Sequence, residues 1–97
     1  MRLAPRIQNI LKNAIFKSFG DVHVYLFGSR VDDSKKGGDI DLAVDVDLPH
    51  DEFRKKKIAF FTSLARINFD MKVDLVPYVP NDQLLFSEIQ NNHVRLI

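Results

Sequence analysis

Cysteine is absent from the 97-residue sequence, and so is any long apolar run. Without cysteine the chain can form neither a disulfide framework nor a thiolate metal site, which is compatible with a reducing compartment. No stretch approaches the roughly 20 apolar residues of a membrane span, and the amino terminus lacks the apolar core of a secretory signal. We therefore expect a soluble, cytoplasmic protein without a membrane segment.

A strong excess of charge is also missing. The formal net charge is only +1, so the protein has no strong positive electrostatic field that would hold a polyanion. We therefore do not expect stable nucleic-acid binding. Hydrophobic residues make up 45% and charged residues 28% of the chain, which are ordinary values for a globular protein. The length suffices for one compact domain but not for a catalytic domain with a separate substrate-reading domain. We expect a single domain over residues 1–97.

The helices are predicted from apolar side chains that recur at helical spacing. Residues 5–19 and 51–67 each carry an apolar stripe beside polar positions, which is typical of an amphipathic helix. A last helix is predicted after Pro80, with an apolar side formed by Leu84, Leu85, Ile89 and Val94.

The strands are predicted from short apolar or alternating runs, which are residues 22–27, 40–46 and 71–76. Residues 28–38 are polar and rich in turn formers, so they predict a surface loop that could begin with a helical turn at Ser29. The order is helix, strand, strand, helix, strand, helix. The predicted fold class is α/β (α+β), a small mixed sheet flanked by helices.

Two motifs at the ends of these strands carry chemistry. Gly28 and Ser29 follow the first strand, and a glycine-serine turn can hold phosphate oxygens on backbone N–H groups. Asp39 and Asp41 open the second strand, where residues two apart project to the same face and can share divalent cations. Together the two motifs resemble the signature of nucleotidyltransferases, which implies metal-assisted transfer of a nucleotidyl group.

A third carboxylate can join this pair. Antiparallel pairing of the first two strands brings Gly28 beside Asp39, and a helical crossover usually joins parallel neighbours, which places Asp74 at the same edge. Three close carboxylates repel one another unless cations neutralise them, and oxygen ligands beside phosphate favour Mg²⁺. We therefore predict a metal site at Asp39, Asp41 and Asp74.

These segments resemble a known family. The run Phe27-Gly-Ser-Arg30, then Asp39-Ile-Asp-Leu-Ala-Val44 and Val73-Asp-Leu-Val76, is similar to the minimal nucleotidyltransferases of the polymerase β superfamily. The resemblance covers nearly the whole chain and implies a mixed sheet with flanking helices. It also implies transfer of AMP from ATP to a protein hydroxyl, often a tyrosine of a small helical partner of the HEPN type, the two proteins forming a toxin and antitoxin pair.

The resemblance also assigns roles to residues. Gly28, Ser29 and Arg30 would bind the nucleoside triphosphate, Asp39 and Asp41 would bind two Mg²⁺ ions, and Asp74 would complete the catalytic metal site. The chain differs from the common family pattern at two places. The family often has a small residue, Arg and Gly where this chain has Val31-Asp32-Asp33, and it often has Ser where this chain has Gly38.

Other interpretations stay open. The same scaffold could be a non-catalytic antitoxin that neutralises a HEPN-type partner by forming a complex. The protein could form a homo- or hetero-oligomer. A third interpretation, an antibiotic-modifying transferase, is less favoured because such an enzyme would need a further domain to hold the drug. Asp45 and Asp47 form a second Asp-x-Asp pair, interpreted as a solvated strand end. The basic run at residues 54–57 is interpreted as the solvent-exposed face of a helix.

Overall fold

The structure, a computed structural model, describes residues 3–28, 39–79, 83–91 and 93–97. Its helices are α1 (Pro5–Phe19), α2 (His50–Arg66) and α3 (Gln83–Asn91), and its strands are β1 (His23–Phe27), β2 (Ile40–Asp45), β3 (Val73–Pro77) and β4 (His93–Arg95). Ser29 and Arg30, with most of the predicted loop, lie outside the described residues. Among the helices in these ranges, none has both the length and the apolar character needed to cross a membrane.

The four strands form one mixed sheet in the order β3-β2-β1-β4. β1 pairs with β2 and with β4 in antiparallel fashion, and β2 pairs with β3 in parallel. The sequence prediction of antiparallel first strands followed by a parallel third strand is confirmed. The ladder brings the end of β1 and the starts of β2 and β3 to one place on the sheet.

The two faces of the sheet carry different layers. On one face α1 and α2 pack over a large apolar core, whose fully buried members include Leu11, Ile15, Leu26, Leu42 and Phe60. On the other face a smaller cluster of Phe27, Ala43 and Ile89 joins the sheet to α3, with Val76 and Tyr78 against it. Since side chains alternate along a strand, the carboxylates of β2 and β3 lie on the α3 face while their neighbours fill the main core.

The ends of α1 follow from its sequence. Pro5 occupies the first turn, where its missing N–H costs nothing, and Gly20 ends the helix at φ 82° with its N–H bonded to Phe16 O at 3.0 Å. The predicted span of residues 5–19 is confirmed, and α2 begins and ends one residue earlier than the predicted span of 51–67.

The end of the chain corrects the prediction. Val94 was assigned to the last helix, but it lies in β4, opposite Leu26 of β1. β4 has three residues, which is too short to give a periodic signal in the sequence. It forms because backbone pairing with β1 covers an otherwise open sheet edge, and the ladder continues where Leu96 N–H donates to Val24 O at 2.8 Å.

Candidate active site

The end of β1 lies against Asp41. Phe27 is the register partner of Asp41, and the next residue, Gly28, has a φ of 76°, which side-chain-bearing residues rarely adopt. A Cβ atom at Gly28 would lie 2.5 Å from Asp41 Oδ2. Glycine is therefore required twice here, by its backbone conformation and by the approach of the carboxylate.

Asp41 and Asp74 occupy opposite positions in neighbouring strands. They are register partners in the parallel β2–β3 ladder, so both side chains leave the sheet on the same face. Paired strands are about 4.7–4.9 Å apart, which is close enough for two carboxylates to share one cation. This pairing is the central geometric feature of the site.

Asp74 makes its observed contacts near the sheet edge. Its Oδ1 accepts a hydrogen bond of 2.9 Å from the N–H of Leu75 and lies 3.9 Å from Lys57 Nζ of α2. The side chain of Asp74 is 61% exposed and that of Lys57 is 35% exposed, so the ion pair is largely hydrated and contributes little to stability.

Asp39 has a similar neighbour. It precedes β2 directly, on the same face as Asp41 two residues later, and its Oδ2 lies 3.9 Å from Lys72 Nζ. Both side chains are mostly exposed, at 57% and 79%. The two outer carboxylates of the predicted group, those of Asp39 and Asp74, thus each have a lysine ammonium beside them.

The predicted three-carboxylate group is only partly assembled in these positions. Asp41 and Asp74 are brought together by the register, and Asp39 lies next to them along β2. Within the described ranges, however, no three Asp, Glu, His or Cys side chains are placed so that they could hold a metal ion between them. The donor set still suits a hard divalent cation, because all three side chains offer carboxylate oxygens. The assignment of these residues as metal ligands stays a prediction.

An aromatic cluster lies on the same face. The ring centroids of Tyr25 and Tyr78 are 4.7 Å apart, and His93 meets Tyr25 edge-on at 5.2 Å. Their contact is possible because Ala43, the register partner of Tyr25 on the intervening strand, is small. His93 Nδ1 lies 2.7 Å from Ile89 O, which orients the ring. Sequence reasoning did not find this cluster, since its members come from three separate segments.

A cleft of about 960 Å³ lies beyond the free edge of β3. It is lined by the first half of α2, the end of β2 and the outer side of β3, and Lys57 belongs to its wall. Asp39, Asp41 and Asp74 are not among its lining residues. Asp45, at the end of β2, is exposed and lines the cleft, in agreement with the prediction of a solvated strand end.

Lys57 is the residue near the site that the sequence interpretation missed. The sequence interpretation places Lys57 on the solvent-exposed face of a helix, and its neighbours Arg54 and Lys55 are indeed exposed. No local signal distinguishes Lys57 from its basic neighbours, because its proximity to Asp74 arises only when α2 packs beside β3.

The chain was compared with known protein families and with individual curated proteins. The family model described as "Polymerase beta, Nucleotidyltransferase" matches residues 7–97. Comparison with individual curated proteins gives no match.

Proposed function

Because the chain belongs to the polymerase beta nucleotidyltransferase family, we propose that it transfers AMP from ATP, with Mg²⁺, to a hydroxyl group of a partner protein. Enzymes of this kind generally use a nucleoside triphosphate and a divalent metal. The observation that carries the proposal is the register pairing of Asp41 with Asp74 beside the Gly28 turn. It supplies oxygen ligands next to a backbone turn that can receive phosphate.

The residues have separate tasks in this proposal. Asp39, Asp41 and Asp74 would hold two Mg²⁺ ions, and Gly28, Ser29 and Arg30 would bind the triphosphate. When bound, the metal supplies charge stabilisation for the pyrophosphate leaving group and activates the acceptor hydroxyl. The acceptor oxygen forms a bond to the α phosphorus, the bond from that phosphorus to the bridging oxygen of pyrophosphate breaks, and Asp74 accepts the hydroxyl proton.

The proposed partner is a small helical protein of the HEPN type, with this chain as the antitoxin. The support for the partner is the resemblance of the Gly-Ser and Asp-x-Asp motifs to minimal nucleotidyltransferases.

Label transfer from ATP tests the proposal. Purified protein is incubated with α-labelled ATP, Mg²⁺ and the product of the neighbouring gene as the candidate partner, and label on that protein is measured. Asp41→Asn should lower the transfer rate by at least about 100-fold, since it replaces a charged carboxylate ligand of Mg²⁺ with a neutral amide. Asp45→Asn is the matched control: Asp45 lies on the same strand and face but is exposed at the far end of β2. Absence of transfer by the wild type, or equal rates for the two variants, would contradict catalysis.

A second candidate is a non-catalytic antitoxin that neutralises its partner by complex formation. The observation that favours it is that both outer carboxylates, Asp39 and Asp74, have lysine neighbours in the structure. This candidate predicts that Asp41→Asn still binds the partner and silences its toxicity. The enzymatic proposal instead predicts retained binding with lost silencing, so the same variant separates the two functions.

A further inference from the structure

The third strand, β3, lies at one edge of the described sheet, with β2 beside it. Ile40 N–H donates to Lys72 O at 2.9 Å and Tyr78 N–H donates to Val44 O at 2.8 Å. The N–H and C=O groups of successive residues point to opposite sides of a strand. The backbone groups of the even-numbered residues of β3 therefore point to β2, and the N–H of Leu75 points away from β2. Leu75 N–H therefore lies on the free edge of the sheet.

The acceptor of that outward N–H is Asp74 Oδ1. The carboxylate that should meet Asp41 is thus drawn toward the opposite side of its own strand. The same oxygen lies 3.9 Å from Lys57 Nζ, although α2 packs on the core face and Asp74 leaves the sheet on the other face. Lys57 can reach it because, among the strands that the structure describes, β3 is the last one on this side of the sheet.

We propose that Lys57 is a positioning residue for Asp74, which holds the carboxylate at the sheet edge until a divalent cation binds between Asp74 and Asp41. The inference rests on the proposed metal site. In the metal-free chain the ammonium and the Leu75 amide supply positive charge and a proton donor to Asp74. Cation binding needs the same oxygens, so it competes with both contacts and turns the side chain toward Asp41.

The surroundings of Lys57 make this exchange possible. Its side chain is partly exposed and also lines the cleft beside β3, so the released ammonium remains hydrated. Asp74 is mostly exposed, so its rotation displaces no packed atoms. The competition is therefore weak and reversible, and it should lower cation affinity without abolishing it.

Metal affinity measured without nucleotide tests the inference. Mn²⁺ and Mg²⁺ are titrated separately against wild type, Lys57→Met and Lys56→Met, and binding is followed by calorimetry. Lys57→Met should bind each cation about two- to fivefold more tightly than Lys56→Met, the range that exposed ion pairs support. Lys56→Met is the matched control, because it removes the same charge from the adjacent position, about 100° away around the helix.

The amide of Leu75 gives a second readout in NMR spectra. Mg²⁺ should shift the Leu75 amide resonance of the wild type, because the bond to Asp74 Oδ1 breaks. In metal-free Lys57→Met the same resonance should lie nearer its metal-bound position, and in Lys56→Met it should not.

Three results would overturn the inference. These are equal cation affinities for the two lysine variants, a Leu75 amide that stays in place at saturating Mg²⁺, and absence of cation binding by both wild type and Lys57→Met. Catalysis is judged separately by label transfer. A negative transfer assay with the expected metal and amide results would refute the proposed enzyme while leaving the role of Lys57 intact.

Discussion

Replacement of Gly28 by alanine should damage the site more than the fold. The new Cβ would lie 2.5 Å from Asp41 Oδ2, whereas carbon–oxygen contacts of about 3.3–3.6 Å are normal. The carboxylate must therefore move by about 0.8–1.1 Å. Because the clashing atom is the end of a side chain, rotation of Asp41 relieves it at little cost in stability. A displacement of about 1 Å in a reacting group can nevertheless cost about 100-fold in rate.

The stability change comes mainly from the backbone. At a φ of 76° an alanine costs about 1–3 kcal/mol, partly offset by about 0.4–1 kcal/mol because alanine restricts the unfolded chain. The expected net loss is about 1–2 kcal/mol of unfolding free energy. For a domain of this size each kcal/mol corresponds to about 4–8 °C in melting temperature. Urea denaturation and thermal melting measure this part.

Gly20→Ala is the matched control. Gly20 has a similar φ of 82°, but a Cβ there would meet nothing within 4 Å. Both variants should lose stability, while only Gly28→Ala should lose label transfer to the partner, by about 100-fold, together with Mg²⁺ affinity. If Gly28→Ala transferred label as fast as Gly20→Ala, the close approach of Gly28 to Asp41 would have no functional consequence and the reasoning would be refuted.

Three further substitutions test the packing and the surface charges. Phe60→Ala should lower the unfolding free energy by about 3–5 kcal/mol in urea denaturation, because Phe60 is fully buried in the main core, and a loss below about 1 kcal/mol would contradict its central place. Ala43→Leu should cost about 1–3 kcal/mol and change the near-ultraviolet circular dichroism of tyrosine, because it separates Tyr25 from Tyr78; an unchanged spectrum would argue against their contact. Lys72→Met should change stability by less than about 1 kcal/mol, since its ion pair is exposed, and a larger loss in the same urea assay would show an energetic role for this pair.

Much of the fold was readable from local patterns. The apolar stripe of residues 5–19 predicts α1 with its observed ends, and alternation along residues 40–46 predicts which side of β2 is buried. These features are local, because a helix or strand face is defined by spacings of two to four residues. The polar segment between β1 and β2 also predicted their antiparallel pairing.

The sequence also determined which residues could form the site. Gly28, Asp39, Asp41 and Asp74 stand at strand ends that the predicted topology brings together. The family match over residues 7–97 agrees with the superfamily that these motifs resemble. The chemical types are local information: a glycine permits a positive φ, and carboxylates offer oxygen ligands.

Tertiary structure decided the register and the competing contacts. Three features depend on segments far apart in the chain: Asp41 pairs in register with Asp74, Lys57 reaches Asp74 around the edge of β3, and three residues of β4 pair with β1. No spacing within one segment encodes such contacts, because they arise from how separate elements pack and which sheet edges stay open.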